Sequence, residues 1–185
     1  HGESTANASK THQVPNVELT EAGQKQADDV AERFRNINID EIITSPYARA
    51  FDTAKKIQKT TDVNITTNEL FIEVKRPSDL HGESYESEKV KQVFKDLIKH
   101  ETDPKWHHLD EENFYDLKMR AENAIRFLEN QSYENLAVVS HSVFMRMMIG
   151  VITFQEKMNP DILRNLGNHF KINNTGITVL EYKDH

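Results

Sequence analysis

Apolar residues in this chain arrive in two rhythms, short solid runs and spaced stripes, and the two alternate along its length. The run "DEIITS" (40–45) is short and β-branched and predicts a strand; "LAVVSH" (136–141) predicts a second, buried one. "NTGITVLEY" (174–182) predicts a third strand, and "VNITTNELF" (63–71) predicts an edge strand. Behind the first run, "SPYARAFDTAKKIQKT" (45–60) predicts a helix, with Ser45 as N-cap and Pro46 at the first helical position, where a missing N–H costs nothing. Behind the second, "SVFMRMMIGVITF" (142–154) predicts another. Three amphipathic stripes complete the pattern. In "TEAGQKQADDVAERFRN" (20–36) Ala27, Val30, Ala31 and Phe34 share one face, with Thr20 as N-cap. Val90, Val93, Phe94 and Leu97 form the second stripe, and Phe114, Leu117, Ala121, Ala124, Ile125 and Leu128 the third.

Strands alternating with helices of this length predict an α/β protein, a three-layer α/β/α sandwich with a mostly parallel central sheet. In that architecture ligands sit at the carboxyl ends of the strands, near helix N-termini. The geometric expectation is specific: His1, Ser45 with its helix, and His141 share one edge of the sheet. No repeat, low-complexity tract or Gly/Ser linker divides the 185 residues, so they are read as a single domain over 1–185.

Composition narrows the function. Hydrophobic residues make up 37% and charged residues 29%, a globular balance. The longest apolar run carries Arg146 and is too short to span a bilayer, so no membrane role is expected. The net charge of −7 argues against a nucleic-acid partner but not against a small anionic substrate, because local pocket charge governs that. The absence of cysteine excludes thiolate nucleophiles and disulfides and fits a reducing compartment, hence a cytoplasmic location is expected.

Reactive side chains gather in three stretches that the topology sends to the same sheet edge. "HGESTAN" supplies His1 and Asn7. "SPYARA" puts Arg49 in a first helical turn, where backbone N–H groups already favour an anion although the dipole disfavours a cation. "VVSHS" ends a strand at His141, followed by Ser142. Two histidines and an arginine around an anion site point to phosphate chemistry, and Glu73 in "ELFIEVKRPS" is a carboxyl able to donate a proton. Glu69 and Glu83 lie near it in sequence. Lys75 and Arg76 follow Glu73 where an anionic substrate tail would meet them, with solvated charge as the simpler account. His12, His81, His100, His169 and His185 read as surface residues, His81 at a pocket rim. "WHHLDEE" (106–112) has no partner at metal-ligand spacing, and no metal or other cofactor is expected.

The motif set resembles the histidine phosphatase superfamily, the phosphoglycerate-mutase-like fold. "HGESTAN", "LTEAGQKQA" (19–27), "SPYARAFDTA" (45–54) and "VVSHSVFMR" (138–146) are similar to that family's motifs and keep their order. The resemblance implies that His1 attacks phosphorus and is transiently phosphorylated. It implies that Arg49, Asn7 and His141 hold the phosphoryl oxygens and that Glu73 is the proton donor, with a helical cap segment at about 74–131. Two departures stand out: the arginine and apolar strand that precede the histidine in the family are not in this sequence, and Ser142 stands where many relatives have glycine, bordering the substrate. The chain therefore reads as an N-terminally truncated member of the small phosphatase branch. A molecule beginning at His1 is expected to fold poorly and turn over little.

The expected activity is metal-independent hydrolysis of a phosphomonoester, on a phosphorylated small molecule or, as a variant, a phosphoprotein. Transfer between phosphoglycerate positions is the runner-up, since a mutase needs a closed pocket built from insertions that the spacing between Glu73 and His141 does not offer. A phospho-ligand binding module without turnover is the third reading, and a retained proton donor speaks against it.

Overall fold

The computed structural model describes residues 1–182. Its sheet has three strands, β1 (Glu41–Thr44), β2 (Ile65–Thr67) and β3 (Leu136–Val139), in the order β2-β1-β3, with both pairings parallel. Ile42 stands opposite Ile65 on one side and Ala137 on the other. β1 is central and every residue of it is buried, which is why its sequence is a solid apolar run rather than an alternation. β2 is an edge strand, as its polar threonines anticipate.

Helices cover both faces. α1 (Thr5–Ser9) is one short turn, followed by α2 (Glu21–Phe34), for which Thr20 is the N-cap through its side chain and the Gly23 N–H. α3 (Ala48–Thr61) crosses from β1 to β2. Together α2 and α3 bury Val30, Ala31, Ala50, Ala54 and Ile57 against Ile42, Ala137 and Val139. On the opposite face lie α5 (Phe114–Glu129), α6 (Ser142–Phe154) and α7 (Pro160–His169). There Leu117, Ala121, Ala124, Phe144, Met147 and Met148 close over Ile43 and Phe71. Ile42 and Ile43 thus serve opposite layers, as adjacent strand residues must. Burying a large apolar side chain of this kind contributes about 1.5–3 kcal/mol. α4 (Glu88–His100) stands apart with Leu80 in a smaller cluster of Val90 and Val93. Among the described residues no helix is long and apolar enough to cross a membrane.

Two local expectations are corrected. Residues 174–182 form no strand: after a turn in which the Gly176 N–H bonds Asn173 O, Ile177 packs beside the α2–α3 layer while Val179 is 79% exposed. A β-branched run becomes a strand only when it pairs, and these residues face the open edge of β3 across a hollow of about 300 Å³ instead of bonding to it. The His1 backbone N donates to Ser140 O (3.4 Å), and the His1 carbonyl accepts from Thr175 N (3.0 Å). Ser45 is not the cap of α3, whose N-cap is Tyr47 without a side-chain bond; Pro46 lies outside the helix. The Ser45 hydroxyl is engaged elsewhere, with His141 and the Tyr47 N–H.

The N-terminal segment is held by a contact that only glycine permits. A Cβ on Gly23 would stand 1.9 Å from the Glu3 carbonyl oxygen, and one on Gly2 would stand 2.3 Å from the Gly23 carbonyl oxygen. The Thr20 N–H bonds Glu3 O (3.0 Å) across the same crossing, so α2 and the His1–Glu3 segment are locked backbone to backbone. Gly23→Ala is expected to lower stability by about 1–3 kcal/mol, the usual cost of overpacking. A chemical-denaturation midpoint equal to that of the parent protein would contradict the contact.

Candidate active site

The sheet's carboxyl end is where β1, β3 and the N-terminal segment meet. Ser45 directly follows β1, His141 lies just beyond β3, and His1 reaches the same point from the chain start. The His1 and His141 rings are 4.9 Å apart between centroids, and the His141 Nε2 lies 2.9 Å from the Ser45 hydroxyl. His1 Nδ1 is 2.7 Å from Gly2 O. A carbonyl only accepts, so this nitrogen carries the proton and the lone pair is left on Nε2.

Arg49 lies in the first turn of α3 and is 2% exposed. Its Nη1 donates to Val14 O (3.3 Å), and Tyr47 sits between it and His141, 5.2 Å from the Arg49 Cζ and 5.4 Å from the imidazole. Thr53 ties this turn to the N-terminal segment, its hydroxyl donating to Arg49 O (2.8 Å) and accepting from Gly2 N (3.1 Å). Arg49 Nε and His141 Nδ1 are buried and have no hydrogen-bond partner among the described residues. Burial, and then the Arg49 charge, hold the His141 imidazole well below its ordinary 6.5. Burial also lowers Arg49, against the opposing pull of Glu73.

Glu73 is positioned from three directions. Its carboxylate accepts from Val74 N (2.8 Å), Phe144 N (3.0 Å) and Val143 N (3.2 Å), which caps α6 where the side chain of the N-cap residue His141 makes no capping bond. Its backbone is held from α5. Arg120 donates to the carbonyls of Leu70 and Ile72 (both 2.8 Å) and Glu73 (3.5 Å), forms a bidentate pair with Glu112 (2.6 Å to each oxygen), and stacks 4.3 Å over the Phe144 ring. Ser140 adds a bond to Phe71 O (2.8 Å).

A cavity of about 640 Å³ opens beside this cluster. Tyr47, Arg49, Glu73 and Val143 line it, with His12, Arg76, His81, Tyr85 and Phe94 on its outer part. His1 and His141 are not lining residues; His141 is buried behind the wall, and His1 borders a second hollow of about 300 Å³ along β3 and residues 175–180. Asn7 lines neither cavity, because its side-chain oxygen accepts from the Ser4 N–H (3.1 Å) and hydroxyl (2.9 Å) in the capping box of α1. Ser142 is the first residue of α6, half-buried and likewise outside both linings. Among the described residues no group of three or more histidine or acidic side chains is arranged to hold a metal ion.

The model of the histidine phosphatase superfamily (branch 1) matches residues 1–185. The chain belongs to that family. A curated relative, the 2,3-bisphosphoglycerate-dependent phosphoglycerate mutase of Thermoplasma acidophilum, is 36% identical over 76 residues, 40% of this chain and 38% of the relative's length. In structure the chain is similar to the phosphoserine phosphatase of Entamoeba histolytica solved with 3-phosphoglyceric acid (TM-score 0.75, 24% identity, 95% of this chain and 84% of that one). It is similar also to a putative α-ribazole-5′-P phosphatase from Escherichia coli (TM-score 0.72, 22% identity, 89% and 80%). These structural likenesses show the phosphoglycerate-mutase-like fold.

In this member of the superfamily several residues support the site that the sequence did not mark. Thr53, Ser140, Arg120 and Glu112 act through backbone carbonyls or a pair distant in sequence, so no local motif announces them. His12, read as a surface residue, is 8% exposed and packs against Tyr85 (4.8 Å) and Phe94 (5.7 Å). Burial, with Arg76 and His81, lowers its pKa from 6.5 against the pull of Glu83.

Two stability predictions follow from these contacts. The folded chain holds His141 and His12 below the 6.5 of an unfolded chain. The unfolded state therefore binds more protons as the pH falls through 6.5, and stability present above that value is lost below it. The denaturation midpoint is expected to drop between about pH 7.5 and about pH 5.5, a window spanning ordinary histidine titration. The drop shrinks in His12→Phe; an identical slope in the variant contradicts the assignment. Separately, Arg120→Leu strands the buried Glu112 carboxylate and is expected to cost about 3–5 kcal/mol. The double variant Arg120→Leu/Glu112→Leu recovers part of it; a double variant as unstable as the sum of both singles contradicts the pairing.

Proposed function

We propose that this chain hydrolyses phosphomonoesters through a phosphohistidine formed on His1. The observation that carries the reading is the pair of buried, unpartnered nitrogens, Arg49 Nε and His141 Nδ1, beside an imidazole whose free lone pair is on Nε2. A buried donor without an acceptor costs about 1–3 kcal/mol. A phosphoryl oxygen is the acceptor that Arg49 Nε lacks. With an oxyanion in place His141 takes the tautomer protonated on Nδ1, and the Ser45 hydroxyl donates to its Nε2.

In the first step His1 Nε2 attacks phosphorus in line, the bond from phosphorus to the ester oxygen breaks, and the Glu73 carboxyl delivers its proton to the departing alcohol. In the second, Glu73 takes a proton from water as the water oxygen attacks phosphorus and the P–N bond breaks, returning neutral His1 and inorganic phosphate. Arg49 and His141 stabilise the charge that spreads over the equatorial oxygens. Neither step calls on a metal ion. The roles of Asn7 and Ser142 are narrower: Asn7 fixes the N-terminal turn through Ser4, and Ser142 opens α6 next to His141, outside the cavity lining.

The test is to trap the adduct with p-nitrophenyl phosphate and to follow phosphate release. Label that is acid-labile, alkali-stable and lost in His1→Ala is the expected result. Glu73→Gln is expected to slow alkyl phosphates by roughly 10²–10⁴ and p-nitrophenyl phosphate far less, since that leaving group needs little protonation. Turnover that survives His1→Ala overturns the mechanism. Interconversion of phosphoglycerates faster than phosphate release reassigns the same intermediate to transfer.

A further inference from the structure

The two nitrogens assigned to the phosphoryl oxyanion both lie out of reach of the cavity. His141 is 1% exposed, does not line the cavity, and has a buried Nδ1; Arg49 reaches the wall, yet its Nε is buried as well. An anion entering the cavity finds neither nitrogen accessible, so part of the wall has to move before both can bond it. Three side chains close on the His141 imidazole. The His1 ring centroid is 4.9 Å away, the Ser45 hydroxyl lies 2.9 Å from Nε2, and the Tyr47 ring centroid is 5.4 Å away. His1 is the proposed nucleophile, fixed through Nδ1 to Gly2 O, and Ser45 is fully buried directly after β1. Tyr47 differs from both. It lines the cavity, is half-buried, and also covers the Arg49 guanidinium, whose Cζ is 5.2 Å from the ring centroid. One ring thus covers both members of the cradle.

The way Tyr47 is attached leaves that ring free to turn. Its backbone is held: the N–H donates to the Ser45 hydroxyl (3.2 Å), and the carbonyl accepts from Ala50 N (2.9 Å) and Phe51 N (3.0 Å) as α3 begins. Its hydroxyl has no hydrogen-bond partner among the described residues. Tyr47 is the N-cap of α3 without a capping bond, where serine, aspartate or asparagine would satisfy a free N–H of the helix. The ring therefore does nothing for the helix, and what accounts for it is what it covers. Rotation between staggered positions about its Cα–Cβ bond carries it off the imidazole and into a cavity of about 640 Å³, leaving α3 and β1 as they are.

We propose that Tyr47 is a shutter over the phosphoryl site, closed on Arg49 and His141 in the conformation described above and swung into the cavity when a phosphoryl oxyanion takes its place between them. The proposal rests on the phosphohistidine reading, which supplies the oxyanion, and adds the step that gives the oxyanion access. The exchange favours the anion because it gives both unsatisfied donors charge-assisted hydrogen bonds, whereas the ring offers one a cation–π contact and the other an edge contact. A closed ring also keeps water from the buried imidazole. Its cost is affinity, since the apparent affinity of the site falls by the fraction of molecules in which the ring has turned away.

Inorganic orthophosphate is the probe, because its binding is read without turnover. Calorimetry on the full chain measures affinity, and the nuclear Overhauser contact between the Tyr47 and His141 rings reports closure. The contact is expected before phosphate is added and is expected to vanish as orthophosphate saturates the protein. Tyr47→Ala is expected to bind orthophosphate about tenfold or more tightly than the parent, the scale of removing a closed state that leaves about a tenth of the molecules open. Tyr47→Phe keeps the cover and shows no such gain. A ring contact that persists at saturating orthophosphate overturns the shutter, as does a Tyr47→Ala affinity no better than the parent's. Where Tyr47→Ala is too unstable to purify, the ring contact in the parent protein decides alone. Loss of the contact in a protein that forms no phosphoenzyme upholds the shutter and fails the phosphohistidine reading; a phosphoenzyme formed with the contact intact does the reverse. Orthophosphate that binds neither the parent nor Tyr47→Ala overturns both.

Discussion

A buried guanidinium and a buried imidazole, each with a nitrogen that no other described residue satisfies, are the constraint on which the rest of this molecule depends. Arg49 and His141 arrive from different elements, the first turn of α3 and the residue beyond β3. They meet only because β1 and β3 are parallel neighbours whose carboxyl ends point the same way. Parallel pairing in turn requires the helical crossovers that enclose the sheet, so the architecture and the polar cluster come from one topological fact. Burying such donors is unfavourable in isolation, and the surrounding apolar layers, built on Ile42 and Ile43, hold the arrangement in place.

Around that cluster the protein builds supports rather than further reactive groups. Ser45 fixes His141, Thr53 links Arg49 to Gly2, and the Gly2–Gly23 crossing brings the first residues against α2 with no room for side chains. Glu73 is carried on a loop whose backbone is gripped by the Arg120–Glu112 pair and whose carboxylate closes the N-terminus of α6. One carboxylate therefore caps a helix and faces the cavity at once, which couples the placement of the proposed acid to the integrity of the core helix next to it. The cation stacked on Phe144 ties the same assembly to the hydrophobic layer.

How much of this could be read from the sequence depended on the range of each interaction. Solid apolar runs marked β1 and β3, and one-faced stripes marked α2, α4 and α5, because those patterns are set by local burial. Thr20 was legible as a cap because its partner is three residues away. Ser45 was misread for the opposite reason: it has the right chemistry for a cap, but its hydroxyl is claimed by His141, ninety-six residues on. The 174–182 run carries strand propensity but does not pair with the open edge of β3, and strand formation is a property of a pair and not of a segment. His12 looked like surface because one polar residue among polar neighbours gives no hint of the aromatic rings that later enclose it. The site residues named by the family motifs divide likewise: His1 with His141, and Arg49 with Glu73, are brought together, whereas the Asn7 side chain turns to Ser4.

The central claim is that Arg49 Nε and His141 Nδ1 form the cradle of a phosphoryl oxyanion. Nitrogen-15 NMR of the histidine side chains, with inorganic orthophosphate or vanadate titrated in, tests it most directly. The account predicts that the His141 Nδ1 signal becomes that of a protonated, hydrogen-bonded nitrogen with slowed proton exchange, and that Arg49→Met abolishes the change. A His141 spectrum indifferent to saturating oxyanion would contradict it.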